Sequence, residues 1–263
     1  MPKDYDPIAA EPPREVPLPK APLIRVIAQM KFPLIAMIER SDFVAPFQEA
    51  IRAKYPVLRH EPAPKIFVGA GSPPVQGPSA WRFSDIQGSW RASLAGDFLA
   101  LETTQYKSRT DFFARFGELV KALDQHVGPK LVDRLGVRYI DKISGLAMQG
   151  IDKLVRPEVL GITGSPSSIH AEHTLAETKF TADKAFMTAR WGCLPAGATP
   201  DPSAIEPMSD RSWILDLDMF SAAPSEFSVD TVVATATRFA ERIYTVFRWA
   251  VTDEFLRHFG GKP

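Results

Sequence analysis

The chain has 263 residues, 45% of them hydrophobic and 24% charged, enough apolar material for one large domain or two small fused ones. Lys+Arg and Asp+Glu both number 31, so no net field draws the protein to nucleic acid or to an anionic membrane. Its single cysteine excludes an intrachain disulfide framework, and without CxxC or a Cys/His cluster the usual structural zinc site is excluded too.

The first 22 residues hold prolines at 2, 7, 12, 13, 17, 19 and 22, which forbid a helix and favour an extended arm. Such an arm is expected to contribute little to the fold. Its acids and prolines stand where a signal peptide needs an apolar core, and no later run is long enough to span a bilayer, so a soluble cytoplasmic protein is expected. "LIRVIAQMKF" alternates as a first strand with Ile24, Val26, Ala28, Met30 and Phe32 on one face. Ser41 or Asp42 then caps a helix whose Phe43, Phe47, Ile51 and Tyr55 recur every fourth residue. The Pro/Gly-rich "GAGSPPVQGPSA" reads as a loop, and "WRFSD", "SWRASLAG" and "DFLALETTQY" as three short strands joined by tight turns. Ser108 with Asp111 looks like the cap of a helix, "TDFFARFGELVKALDQHV", stopped by Gly128 and Pro129.

A fifth strand, "RLGVRYIDKI" at 134–143, opens the second half. An irregular stretch follows, then strands "IHAEHTLAETKF", "KAFMTARWGCL" and "SWILDLDMF", and a final helix with Phe239, Ile243, Phe247, Val251 and Phe255 at every fourth position. The expected organisation is an arm at 1–22 and two halves, 23–130 and 131–263, fused as one compact α+β unit. About eight strands in a largely antiparallel sheet carry long amphipathic helices on one face. The halves match in element order. Internal duplication and chance both account for the match, because spacings of two and four recur in every α+β protein.

Several of these segments carry a resemblance. "PLPKAPLIRVIAQMKFP", "FQEAIRAKYP", "WRFSDIQGSWRASLAGDFLALETTQYKSRTDFFARF", "RLGVRYIDKI" and "VTDEF", in this order, resemble a sporadically distributed family of bacterial proteins of about this length. The resemblance covers nearly the whole chain and implies no activity, cofactor or catalytic residue. Sporadic distribution implies horizontally moved genes such as defence or toxin–antitoxin accessories.

Among motifs that carry chemistry, His170 and His173 lie three apart, and a strand sends such residues to opposite faces, so a shared ion is disfavoured. Cys193 lacks a neighbouring base and reads as a small core residue. "GAGSPP" lacks the spacing and helix of a phosphate loop. Trp81, Trp90, Trp191 and Trp213 fall on strands, where core is the default. The fifth strand is the exception: its parity sets Leu135, Val137 and Tyr139 on one face and Arg134, Arg138 and Lys142 on the other. The same parity adds Glu102, Arg190, Asp216 and Asp218 to that polar face. Two readings stand. The face is solvated and laced with cross-strand ion pairs worth about 0.2–1 kcal/mol each, or it gathers arginines and carboxylates into a binding surface.

Two functions follow from these readings. One is a non-enzymatic binding or regulatory module, self-associating or recognising a protein partner through the polar face or the arm. The other is an enzyme on a small anionic substrate, with Arg138 or Arg190 orienting it and Glu102, Asp216 or Asp218 as acid or base. Nucleic-acid binding is disfavoured by the balanced charge and the absence of a basic recognition helix. No cofactor is implied.

Overall fold

A computed structural model describes residues 5–61, 65–66, 75–76, 79–207 and 209–263. After the arm come β1 (Leu23–Lys31), a 3₁₀ turn (Ala36–Glu39), α1 (Ser41–Ile51) and β2 (Val57–Glu61). The short β3 (Lys65–Ile66) and β4 (Val75–Gln76) precede a meander of β5 (Ala80–Ser84), β6 (Trp90–Ala95) and β7 (Phe98–Thr103), and then α2 (Arg109–His126). Next are β8 (Leu131–Val132), β9 (Arg134–Ser144), and a run of short turns and helices that includes α3 (Ile151–Leu154) and α4 (Pro157–Leu160). The chain closes with β10 (Ala176–Ala182), β11 (Ala185–Leu194), β12 (Ser212–Ser221), β13 (Ser225–Glu226), α5 (Val229–Ala250) and α6 (Asp253–His258).

The fold is α+β, with a large antiparallel sheet of nine strands in the order β10-β11-β12-β9-β1-β7-β6-β5-β2. The ninth strand is β2, "VLRHE", whose exposed, unalternating residues gave no period-2 signal; it pairs with β5 at one sheet edge. The "GAGSPP" loop lies outside the described residues. No helix among the described residues is long and apolar enough to cross a membrane.

The chain divides into two compact units. One comprises 27–136 and 221–237. Here the register sets Trp81, Phe83, Trp90, Leu94, Leu99 and Leu101 on one face of the meander, and all are buried. Helices cover that face: Phe47 of α1 meets Phe83 edge-on at 5.7 Å, Phe112 of α2 lies 5.8 Å from Trp90, and Arg115 stacks over Trp90. The Ser108 cap forms, its hydroxyl accepting from the Asp111 amide at 3.1 Å. Neither Ser41 nor Asp42 caps α1. The cap residue is Arg40, which makes no side-chain cap bond and whose guanidinium is held by the Asp42 carboxylate.

The other unit comprises 1–26, 137–220 and 238–263. Its ladder pairs β10 with β11 from Ala176↔Trp191 to Ala182↔Ala185. The strand foreseen from Ile169 starts only at Ala176, because Pro166–His170 forms a 3₁₀ turn. Nor is the terminal helix continuous. Thr252 breaks the periodic run, accepting from the Phe255 amide at 3.2 Å to cap α6 and donating to the Lys153 carbonyl at 2.6 Å.

The arm departs from expectation. The Val16 amide donates to the Tyr244 hydroxyl at 2.7 Å, which donates in turn to the Arg14 carbonyl at 3.3 Å. Arg242 donates to the carbonyls of Pro7 (3.1 Å) and Ala10 (2.5 Å), and the Lys20 amide to that of Phe259 (3.2 Å). An extended proline-rich segment cannot pair its own polar groups, and α5 supplies the partners instead.

Candidate functional site

Three of the residues singled out for the polar face come together around Arg138. Strand β9 carries Arg138 and β12 carries Asp216, and the pair is bidentate: Nε donates to Oδ1 at 2.7 Å and Nη2 to Oδ2 at 2.8 Å. Arg190 of β11 approaches the same Asp216 Oδ2 with Nη1 at 3.3 Å and donates through Nε to Glu177 of β10. One ion-pair chain therefore ties four neighbouring strands. Asp216 is 1% exposed and Arg138 15%, so the central pair is shielded from water and salt.

The shield is a loop. Asp201 Oδ2 accepts from Arg138 Nη1 at 2.7 Å, while its Oδ1 accepts from the Ser203 amide and hydroxyl at 3.1 and 2.6 Å. The Ala204 and Ile205 amides close on the Asp201 carbonyl, and Thr199 donates to the Ile205 carbonyl at 2.6 Å. Ala204 and Ile205 are buried as a result. Lys142 is buried as well, its ammonium donating to the Glu206 carbonyl at 2.5 Å. The face read as open is, over Arg138 and Lys142, the floor of a covered region.

Protonation follows from these contacts. Burial works to lower the Arg138 pKa, but the hydrogen bonds and charges of Asp216 and Asp201 outweigh it and raise it. For Asp201, partial burial acts upward, yet the hydrogen bonds from Ser203 and Arg138 hold the carboxyl below its usual range. Burial pulls the Lys142 pKa down against the attraction of Glu206. Beside it, Asp141 is 6% exposed, and burial pushes its carboxyl up to about 7.

The remaining predicted residues are elsewhere. Glu102 sits in the other unit, paired across the meander with Arg91 of β6, while Arg82 binds Glu61 at 3.0 Å and Ser93 at 2.6 Å on the same polar face. Those pairs are the solvated, cross-strand kind. Arg134 folds back over Gly136, where a Cβ would lie 2.6 Å from its Nη1. Asp218 is half-buried on β12. Sequence reasoning missed Asp201 and Glu177. Glu177 follows from the β10–β11 register, but Asp201 lies in an aperiodic loop 63 residues from Arg138 and gave no signal.

His170 and His173 are exposed, Cys193 is fully buried, and three of the four strand tryptophans are core, with Trp191 half-buried. Among the described residues no group of three or more His, Cys, Asp or Glu is placed to hold a metal ion.

Chemically, the Arg138 cluster is a closed brace. Each nitrogen of its guanidinium already donates to a carboxylate, so an incoming anion would have to displace Asp216 or Asp201. No protein-family model matches the chain, and no curated protein matches it.

Proposed function

We propose that the protein is a non-enzymatic binding or regulatory module that recognises a protein partner, within the cytoplasm of a bacterium and of the sporadically distributed kind its motifs resemble. The observation that carries this reading is a braced apolar surface in the segment before β10. Ile162 is 56% and Ile169 80% exposed, and neither is free to fold inward. The Ser165 amide and hydroxyl both donate to the Ile162 carbonyl, the Ser168 amide to Ser165, and the Ala171 amide to Ser168, so consecutive tight turns fix the segment. Thr163 and Thr174 join its ends at 3.2 Å. Large aliphatic side chains held out in water by a rigid backbone suit an apolar segment of another protein.

The competing reading, an enzyme for a small anionic substrate, needs Arg138 or Arg190 available to it, and both are engaged by carboxylates. An internal duplication belongs to the proposal. Supporting it, the first strand of each half lies beside the last strand of its own meander, β1 beside β7 and β9 beside β12.

The test is capture from the native host with the full chain as bait, comparing wild type with Ile162→Asp/Ile169→Asp and mapping contacts by cross-linking mass spectrometry. Specific proteins held by wild type and lost from the double variant, with cross-links to 161–175, are expected. Equal capture by both baits, or no specific capture, refutes the reading.

A further inference from the structure

Strand β10 ends the ladder, and its free edge has a self-complementary charge pattern. The Thr174 amide bonds the Cys193 carbonyl at 2.9 Å, in the same register as the pairs from Ala176↔Trp191 to Ala182↔Ala185. Hydrogen-bonded pairs alternate along an antiparallel ladder. Residues 174, 176, 178, 180 and 182 therefore turn their amides toward β11, and Glu177, Lys179 and Thr181 turn theirs to the open edge. These three side chains are exposed, as is Ala176.

We propose that this edge pairs with the same edge of a second copy of the chain, antiparallel, about a twofold axis at Thr178. Charge selects the register. Centring the axis on Glu177 opposes two glutamates, and centring it on Lys179 opposes two lysines; like charges directly across a ladder are destabilising. Only the register between them sets Glu177 opposite the second copy's lysine, twice by symmetry. The same register lays Phe180 across from Ala176 and Leu175 across from Thr181, so the large side chains meet small ones. Leu175 is 44% exposed in the single chain, which leaves apolar surface for such a contact to cover.

Both charges are already oriented. Glu177 receives the Arg190 Nε, and the Lys179 ammonium sits 4.2 Å from the Phe186 ring centroid and 5.6 Å from that of Phe220. Holding them to the sheet reduces the entropy lost on pairing. Exposed edge strands that lack a partner are commonly guarded by bulges or proline; β10 has neither of these.

Sedimentation equilibrium of the full chain reads the association, with thermal melts of each variant as the control for folding. Wild type is expected to dimerise. Lys179→Glu alone and Glu177→Lys alone each set like charges across the axis and weaken the dimer at least tenfold, whereas an equimolar mixture of the two variants restores it as a heterodimer. A second measurement does not depend on those charges: Thr178→Cys places two thiols across a non-hydrogen-bonded pair, where Cα atoms approach to about 4.5 Å, and mild oxidation should yield a linked dimer. Cys193, fully buried, does not compete. A wild type that stays monomeric at every concentration, a dimer indifferent to both charge variants, or Thr178→Cys protein that fails to link overturns the proposal. None of these results bears on the surface around Ile162 and Ile169, which its own variant tests.

Discussion

Replacing Arg138 by Gln should destabilise the protein by about 3–4 kcal/mol. The side chain makes three charge-assisted hydrogen bonds, of which the one to Asp201 faces a carboxylate 27% exposed and is largely replaced by water. The two to Asp216 are not, because that carboxylate is 1% exposed. Two such bonds at about 1.5–3 kcal/mol each, offset in part by the remaining Arg190 contact at 3.3 Å, agree with the roughly 3–5 kcal/mol cost of stranding one member of a buried pair. For a chain of this size the melting temperature should fall by about 10 °C, read by calorimetry or by urea titration with an unchanged slope. A double-mutant cycle separates the pair from its burial: Arg138→Met/Asp216→Leu leaves no stranded charge and should recover at least half of the single variant's loss. A loss below about 1 kcal/mol for Arg138→Gln, within the range of plain surface substitutions, or a double variant worse than either single one, would refute the brace.

Removing residues 1–20 should lower the melting temperature by several degrees, since it strips Tyr244 and Arg242 of their arm partners and each net hydrogen bond contributes about 0.5–1.5 kcal/mol; an unchanged melt would mean that the arm does not dock in solution. Asp141 sits at about 7 in the folded chain against about 3.9 when unfolded, so the native state keeps a proton that the unfolded state has lost. Its contribution is full below pH 4 and declines as the pH rises toward 7. Asp141→Asn should therefore raise stability relative to wild type more at pH 8 than at pH 5, and an increment equal at both values would contradict it. Thr252→Ala should cost about 1 kcal/mol through the lost α6 cap; urea unfolding measures this, and a change under about 0.3 kcal/mol would assign the helix start to packing alone.

Legibility in the sequence tracked the range of the interactions. The Ser108 cap, the Phe47 and Phe112 faces and the β5–β7 meander are local, and period or capping chemistry announces each. Parity within β9, β11 and β12 also brought Arg138, Arg190 and Asp216 to one face before any pairing was known. What parity cannot report is a lid: the Asp201 loop has no period, so Arg138 looked solvated where it is covered. The same holds for the arm, whose prolines rule out regular structure but say nothing of Tyr244 and Arg242 waiting more than 200 residues away. Between α5 and α6 the fourfold spacing of apolar residues runs on through the break. There "VTDEF" held the signal, a threonine followed by two acids, the composition of a helix start.

The docking of Val16 on Tyr244 and of Lys20 on Phe259 means that the two chain ends belong to one cooperative unit, which also claims the middle of the sequence. During synthesis, that unit cannot close until the last helix has left the ribosome, and the arm, made first, is placed last. A nascent or C-terminally clipped chain keeps its first 20 residues undocked, whereas the finished chain has drawn them in. Protease sensitivity of the arm thus reads out completion of the chain, and a circular permutant that joins residue 263 to the arm by a short linker should retain the fold while new ends are opened in a distant turn.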